Sequence, residues 1–574
     1  MALSTLDYAI LIGFFVLSLL IGLAVARQSG KNTESFFLSG RNMPWWLLGI
    51  SMVATTFAAD TPNFVAGVIR ENGVYGNWIW WSFLLTGMVT VFFYSKLWRR
   101  SGITTDLEFY ELRYSGKSAA FLRGFRAIYL GVFFNIVIMA NVCLAAIKIG
   151  HVMFGFNEFQ SLFIACSVTV VYSMLGGLRG VLLTDFVQFI IAMVGSIWAA
   201  VYIVNHEKVG GLSTMLAAPE LEGKLNFLPD FTNWEVVVPL LIVPLAVQWW
   251  SVWYPGAEPG GGGYIAQRML AAKNEKHATW ATLFFNFAHY ALRPWPWIII
   301  GLASLIVYPD LISLQTAFPD MNPDFVRNDL SYPAMLRLLP AGLLGLVITS
   351  LVAAFMSTIS THLNWGSSYV VNDFYARFIT KDASEKSKVL VGRISTLVMI
   401  VLAALLSLVL EEAIEAFNLL LQIGAGTGLL FILRWFWRRI NPYSEITAML
   451  VSFLIAVFFF INNRMHAPFV VMETHWQLVT GVVITTIGWI LVTFATQPSE
   501  IKTLEAFESL VFNNESKFEN FRFKFLALIM AIVGVYCVLF ATGFFIYGNL
   551  FAGALLTSIA AVCVIVLIRF KEKY

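Results

Sequence analysis

Runs of about twenty apolar residues decide what this chain can be. A helix needs about 20 of them to cross the hydrocarbon core of a bilayer. Fifteen candidate runs begin near Leu6, Trp45, Asn77, Leu122, Gln160, Val181, Trp234, Ala278, Ala341, Val389, Glu415, Glu445, Trp476, Phe523 and Leu550. Composition agrees. Of 574 residues, 59% are hydrophobic and only 12% charged, and the mean hydropathy is +0.76. So few charges cannot solvate such a chain in water on every side. The expected fold class is an all-α polytopic membrane protein with about 15 transmembrane helices, its lipid partner being the bilayer. A net charge of +3 carries no nucleic-acid footprint. Cys143, Cys166, Cys537 and Cys563 lie in apolar runs and read as small core residues, without disulfide or metal-ligand spacing.

The first run could pass for a signal peptide, since Ala24-Val25-Ala26 mimics a cleavage site. Its charges run the wrong way: Asp7 precedes it, and Arg27 and Lys31 follow. It reads as a membrane helix with its N-terminus outside. With loops alternating from there, the basic residues concentrate on one side, in stretches such as Lys96 to Arg126, Arg268 to Lys276, Arg377 to Arg393, Arg434 to Arg439 and Lys502 to Lys524. The opposite loops carry only Arg70, Lys148, Lys208, Lys224, Arg327 and Arg464. That asymmetry marks the first set as cytoplasmic and places the C-terminus inside. In the stretch 497–522, Leu504, Phe507, Leu510 and Val511 recur at near-helical spacing, predicting an interfacial helix on the cytoplasmic face.

Two runs contain residues that a plain span avoids. In the second, Asp60-Thr61-Pro62-Asn63 sits mid-membrane, and Pro62 has no N–H for the helix ladder. In the seventh, Trp253-Tyr254-Pro255-Gly256-Ala257-Glu258-Pro259 leads into four glycines ending at Gly263. Unwound backbone at membrane depth persists only where it lines a cavity or binds something. The two breaks lie five helices apart, so their segments cross in opposite directions. Paired breaks of this kind point to a secondary transporter built from inverted repeats, with its site at the midplane.

A later run is dense in hydroxyls, Ala353-Ala354-Phe355-Met356-Ser357-Thr358-Ile359-Ser360-Thr361-His362. Hydroxyls so placed must face protein or an ion, and a hard cation such as sodium takes oxygen ligands. Here the chain resembles the sodium/solute symporters, the family of sodium/glucose and sodium/proline transporters. The resemblance rests on Ala353 to Thr358, on Tyr332-Pro333 with Leu339-Pro340-Ala341-Gly342-Leu343-Leu344-Gly345-Leu346, and on Gly176-Gly177-Leu178 with Thr184-Asp185-Phe186-Val187-Gln188. Gln267-Arg268-Met269-Leu270-Ala271-Ala272-Lys273 and Phe36-Phe37-Leu38-Ser39-Gly40-Arg41 complete it. The pieces keep family order and cover roughly residues 1–440.

The resemblance implies a LeuT-like five-plus-five inverted repeat: a leading helix and loop in 1–44, one repeat in 45–204, the second in 234–440, and accessory helices in 441–574. It implies sodium as coupling ion, held by the carbonyls of Ala54, Phe57 and Ala354 and the side chains of Ser357 and Thr358. Asp185 is a second-sodium ligand or lines the exit route; with Ala354 where some relatives carry a hydroxyl, a second sodium site looks incomplete. Thr184 and Ser360 are its expected hydrogen-bond partners. The implied substrate residues are Asp60, Thr61, Trp80, Asn141, Trp253, Tyr254, Tyr290, Arg293 and Gln422. Trp80 stands where sugar carriers have an acid, and Tyr290 where they have a lysine, so sugar specificity does not carry over directly.

Arg293 inside a span is a functional candidate by default. It clamps a substrate carboxylate or pairs internally with Asp60 or Glu258, and snorkelling is the remaining reading. Lys148 reads as an outer-interface residue, and His289 as a core hydrogen-bonder. A membrane enzyme would need a nucleophile with a base, or clustered metal ligands; seven scattered histidines offer neither, so no enzyme is expected. A channel would need pore-lining rings. The expected protein is a multi-pass plasma-membrane symporter, functional as a monomer, that carries a small organic solute, sugar/polyol or carboxylate-bearing. The alternatives are a proton-coupled symporter and a transport-inactive sensor.

Overall fold

The structure, a computed structural model, describes residues 3–29, 38–173, 177–252, 258–380, 382–410, 413–465, 469–513, 515–517, 519–571 and 573. These residues are helical with no β-strand; one isolated β-bridge joins Met43 to Ala272. Among the described residues, ten helices are long and apolar enough to cross a membrane. Outward-facing apolar side chains such as Leu390, Ile394, Val562 and Ile565 give them the lipid-facing surface of a membrane protein.

The leading helix α1 (Thr5–Ser29) packs on α11 (Leu343–Ile379). One side chain ties them. Asp7 Oδ1 accepts from the backbone N–H groups of Gly342 and Gly345, at 2.7 Å each. Those donors belong to the first turn of α11, where backbone N–H groups lack helical partners and a carboxylate is favoured.

The first break follows. Helix α2 (Trp45–Thr56) ends at Phe57, whose ψ of 77° leaves the helical region, and α3 (Asp60–Asn72) resumes after Ala59. Pro62 is therefore not the breaking residue. It lies in the first turn of α3, where its missing N–H is not needed. Next come α4 (Val74–Ser101), α5 (Gly116–Phe154), α6 (Glu158–Ser173) and α7 (Gly177–Val204). The second broken element is α8 (Trp234–Trp250) and α9 (Gly263–Leu270). Residues 253–257 of that break lie outside the described residues. Beyond them, Gly260 and Gly261 take φ of 88° and 86°, which only glycine adopts without strain. Side chains of α4 hold this backbone: Trp98 Nε1 donates to the Gly260 carbonyl at 2.6 Å, and Thr90 Oγ1 accepts from the Gly260 N–H at 3.2 Å.

The later helices include α10 (Glu275–Val307), α11, α12 (Glu385–Ser407), α13 (Ala413–Ile423), α14 (Gly428–Leu433), α15 (Pro442–Arg464), α16 (Thr474–Ala495), α17 (Ile501–Phe512), α18 (Phe521–Ile546) and α19 (Leu550–Arg569). Helix α2 is packed by α7, α10 and α11, and α3 by α10; α7 also packs on α11. Hence both site-bearing helices, α2 and α11, are interior.

Several charges sit elsewhere than expected. Lys148 is not at an interface: it is fully buried and bonded to both carboxylate oxygens of Asp329, at 2.6 and 2.7 Å. Arg113, Arg126, Arg268 and Arg434, which the loop count treats as solvated, are buried. Arg126 pairs with Glu258 at 3.4 Å and Arg434 with Glu445 at 3.4 Å. Long side chains let these residues reach acids and carbonyls inside while their backbone stays near the helix ends.

The amphipathic segment forms α17 as predicted, yet its apolar face meets protein. Phe507 packs against Phe109 and Trp435, and Leu504 and Val511 are buried while Leu510 stays exposed. Arg438 grips Glu508 with Nε and Nη2, at 2.7 and 2.6 Å, and Lys517 joins them. The Arg438 hydrogen bonds, followed by Lys517, hold the Glu508 carboxyl at about 2, below its ordinary 4.5. A depressed carboxylate stabilises the docked helix above its ordinary titration range, and the stabilisation is lost as pH falls through the depressed value. Protection of residues 501–512 against hydrogen exchange, corrected for intrinsic rates, should be flat above pH 4.5 and fall between 4.5 and 2. Glu508→Gln should be less protected throughout and lack that fall; an unchanged wild-type profile down to pH 2 would refute the coupling.

Candidate functional site

Asp185 on α7 is the centre of a hydroxyl cluster. Its Oδ2 accepts from Ser51 Oγ of α2 at 2.5 Å, and its Oδ1 from Ser357 Oγ of α11 at 2.6 Å. The partners expected of it bond elsewhere. Thr184 donates to the Gly180 and Val181 carbonyls, and Ser360 to the Ser357 carbonyl, because helical backbone lies closer to them than a neighbouring side chain. The next hydroxyl, Thr358 Oγ1, crosses to the Thr55 carbonyl at the end of α2, 3.2 Å away. Thr55 thus joins the oxygens near the break, whereas the Ala54 carbonyl accepts the N–H of Phe57 at 3.1 Å. Ala354 and Phe57 are buried beside them on the same two elements. Three hydroxyls, a carboxylate and the backbone at a helix end form an all-oxygen set, the donor chemistry that a hard cation requires.

Arg268 of α9 completes the cluster. Its Nε and Nη2 approach Ser51 Oγ, and Nη2 also Thr55 Oγ1, all at 3.4 Å, while the guanidinium lies over the Tyr264 ring. By charge counting Arg268 belongs to a solvated loop, and Ser51 and Thr55 are absent from the expected site residues. A signal was present: Ser51 and Thr55 are spaced i, i+4 in an otherwise apolar helix, so they share one face.

A second constellation lies at the break itself. A cavity of about 90 Å³ is lined by Asp60, Thr61, Trp80, Asn141, His289 and Arg293, with Phe64 and Phe417 among its apolar walls. Asn141 Nδ2 donates to Asp60 Oδ2 at 2.5 Å, and Thr61 Oγ1 to the Thr56 carbonyl at 3.4 Å. Arg293 reaches the cavity because α10 contains a π-turn over Ala288–Leu292; the Arg293 N–H bonds the Ala288 carbonyl at 3.3 Å, and Pro294 restarts the helix. Its Nη1 donates to the Val53 carbonyl at 3.2 Å, and its Nη2 lies 3.3 Å from His289 Nε2. It makes no ion pair with Glu258, which Arg126 engages. His289 Nδ1 meets Thr56 Oγ1 at 3.2 Å, in keeping with a core hydrogen-bonding role.

Three polar atoms of residues that line this cavity are buried without a hydrogen-bond partner: Asp60 Oδ1, Asn141 Oδ1 and Arg293 Nε. Other expected residues do not join it. Gln422 turns away, donating to Gln477 Oε1 at 3.1 Å. Tyr290 lines a neighbouring hollow with Glu258 and Tyr264 and stacks on Trp80, ring centroids 5.9 Å apart. The two positions that depart from the sugar-carrier pattern are therefore packed on each other. Trp253 and Tyr254 lie outside the described residues.

The model of the sodium:solute symporter family matches residues 36–452. A sodium/glucose cotransporter of Vibrio parahaemolyticus is 26% identical over 475 residues, covering 79% of this chain and 85% of that protein. A sodium/myo-inositol cotransporter of Homo sapiens is 27% identical over 499 residues, covering 79% and 66%. The solved structure of a Na+-coupled sialic acid symporter shares the fold, with a TM-score of 0.66 at 21% identity over 87% of this chain and 99% of that one. These relatives are polytopic membrane transporters rather than enzymes, and sodium is the coupling ion. An interior helix broken beside an all-oxygen cluster, a polar cavity at that break and the family match lead to one conclusion: the chain belongs to the sodium:solute symporter family.

Proposed function

We propose that this symporter imports a small polyhydroxylated solute, a sugar or polyol, across the plasma membrane by alternating access. The observation that carries the reading is the trio of unpartnered atoms on the cavity, Asp60 Oδ1, Asn141 Oδ1 and Arg293 Nε. Leaving such a buried atom unpaired costs about 1–3 kcal/mol. A solute whose hydroxyls give to two acceptors and take from one donor removes all three costs at once. The Trp80 ring on the same wall offers a face for a sugar's C–H surface. Similarity to cotransporters named for glucose and myo-inositol supports the same class. The Arg293 guanidinium favours a second reading, a carboxylate-bearing solute; Asp60 in the same cavity opposes it by like charge.

On this reading sodium binds Ser357, Thr358 and the carbonyls of Ala54, Phe57 and Ala354, with the Thr55 carbonyl added to the set. Arg268 supplies a fixed positive charge beside Asp185, which disfavours a second sodium there. One sodium then accompanies each solute, and Asp185 lines the route by which it leaves. The fifteen apolar runs are fifteen spans, with the N-terminus outside and the C-terminus inside. The broken pairs α2/α3 and α8/α9 are equivalents in two inverted repeats, 45–204 and 234–440; 1–44 leads and 441–574 is accessory. The working unit is one chain.

Uptake by proteoliposomes under a sodium gradient tests this. Labelled sugars and polyols should accumulate with saturable kinetics and stop when potassium replaces sodium. Accumulation of carboxylates alone would favour the second reading, and uptake that follows pH and ignores sodium would overturn sodium coupling at this site.

A further inference from the structure

Away from both constellations, a cavity of about 300 Å³ lies between α1, α5, α6 and α11. Its wall is almost wholly hydrocarbon: Leu11 and Phe15 of α1, Ala146 of α5, Ala165 of α6, Phe355 and Met356 of α11. Tyr8 and Ile164 line it too, and both are about half exposed, so it opens sideways onto the protein's apolar surface. In a membrane that surface meets acyl chains rather than water. A dry void there would forfeit dispersion contacts on every side, which hydrocarbon from the bilayer restores.

Besides the half-exposed Tyr8, one polar side chain interrupts the apolar wall. Ser161 Oγ, on a residue only 4% exposed, has no hydrogen-bond partner. Gly150 faces it, and a Cβ at Gly150 would lie 2.2 Å from that oxygen, so the glycine is what leaves the hydroxyl its space. Ser161 lies in the first turn of α6, near the level where a helix enters the interface. At the other extreme the cavity touches Ala59, within the break between α2 and α3. A polar anchor near the interface and an apolar channel running to mid-membrane match one ligand chemistry, a glycerolipid whose ester lies above its acyl chain.

We propose that this cavity is a binding site for the acyl chain of a membrane glycerolipid, with the Ser161 hydroxyl donating to the ester carbonyl. The chain's far end abuts Phe355 and Met356, which directly precede Ser357, and Ala59, which directly precedes Asp60. A bound lipid therefore braces the leading helix against the two elements that carry the proposed sodium and solute residues. Binding itself does not depend on the reading of those residues, and it is measured without transport.

The full chain is reconstituted in phosphatidylcholine vesicles doped with phosphatidylcholine bearing a diazirine midway along one acyl chain. After photolysis, mass spectrometry maps the labelled peptides. Label should be enriched at Phe355–Met356 and Leu11–Phe15 over the outward face of α19, at Val562 and Ile565, which meets only bulk lipid. Ala165→Trp fills the cavity and should bring labelling at Phe355–Met356 down to the α19 level. Ser161→Ala, a milder change that keeps the test open if the tryptophan variant does not fold, should lower it about fivefold, the equivalent of one ordinary hydrogen bond. Labelling uniform over all outward faces, or unchanged in both variants, would overturn the site. A diazirine sterol that labels these peptides where phosphatidylcholine does not would overturn the acyl-chain occupant.

Discussion

Replacing Ser357 and Thr358 together by alanine is expected to raise the sodium concentration for half-maximal uptake tenfold or more, while the protein stays folded. The hydroxyls are two oxygens of a buried cluster: Ser357 meets Asp185 at 2.6 Å and Thr358 meets the Thr55 carbonyl at 3.2 Å. A sodium ion leaving water needs such oxygens in place of its hydration shell, and losing one neutral ligand costs about 1–1.5 kcal/mol, roughly tenfold. The lever is large because coupling is strong. One charge crossing 100 mV supplies about 2.3 kcal/mol and a tenfold sodium gradient about 1.4, together several hundred-fold accumulation. Sodium titrations of uptake in proteoliposomes measure the shift, and sodium-induced thermal stabilisation gives a readout independent of turnover. Asp185→Asn separates stoichiometries. With Arg268 beside Asp185, the wild-type Hill coefficient for sodium should be near one, and the variant should change rate while leaving it there. A wild-type coefficient clearly above one that falls to one in Asp185→Asn would establish a second sodium site.

Arg293→Lys is expected to weaken solute binding about tenfold or more although the charge is kept. The guanidinium spends Nη1 on the Val53 carbonyl and sets Nη2 beside His289, leaving Nε without a partner on a residue that lines the cavity. An ammonium cannot divide three fixed directions in this way. Arg293→Gln should lose more, because the Val53 carbonyl loses a charged donor and Asp60 a nearby cation. If the arginine were only structural, both variants would lower the amount of folded protein and leave the solute affinity of the survivors at the wild-type value; that outcome rules out the binding role. Isothermal titration or scintillation-proximity binding at saturating sodium measures affinity without transport.

Which parts of this were readable in the chain follows from the range of the interactions. The membrane class, the apolar helices, an interruption of the second span and the hydroxyl-dense segment of α11 are local properties, carried by contiguous residues such as Ala353 to Thr361. The family pattern added neighbours for them across hundreds of residues, since a motif marks positions that a shared fold brings together. Local reading still misplaced the cause of the first break: a proline stood out, yet Pro62 sits harmlessly in a first turn, and the unwinding begins at Phe57.

Partner choice among buried polar groups was decided only in three dimensions. By sequence, Arg268, Arg126 and Lys148 belong to solvated ends, because counting charges assigns each residue to its loop. The folded chain draws them inward to Ser51, Glu258 and Asp329. Trp80 and Tyr290 are 210 residues apart and nothing local predicts that they stack. Gln422 is an implied substrate residue by its position in the family pattern, yet its side chain bonds Gln477 of α16. The sequence by itself determined that the chain must lie in a membrane, that two of its spans are interrupted and which segment is rich in interior hydroxyls, because hydrophobic burial and backbone hydrogen bonding act on neighbouring residues. Only the tertiary structure decided which oxygen faces which cation and which polar atoms remain without partners, because a desolvated group must find a partner within about 3 Å, and that distance is set by how the helices pack.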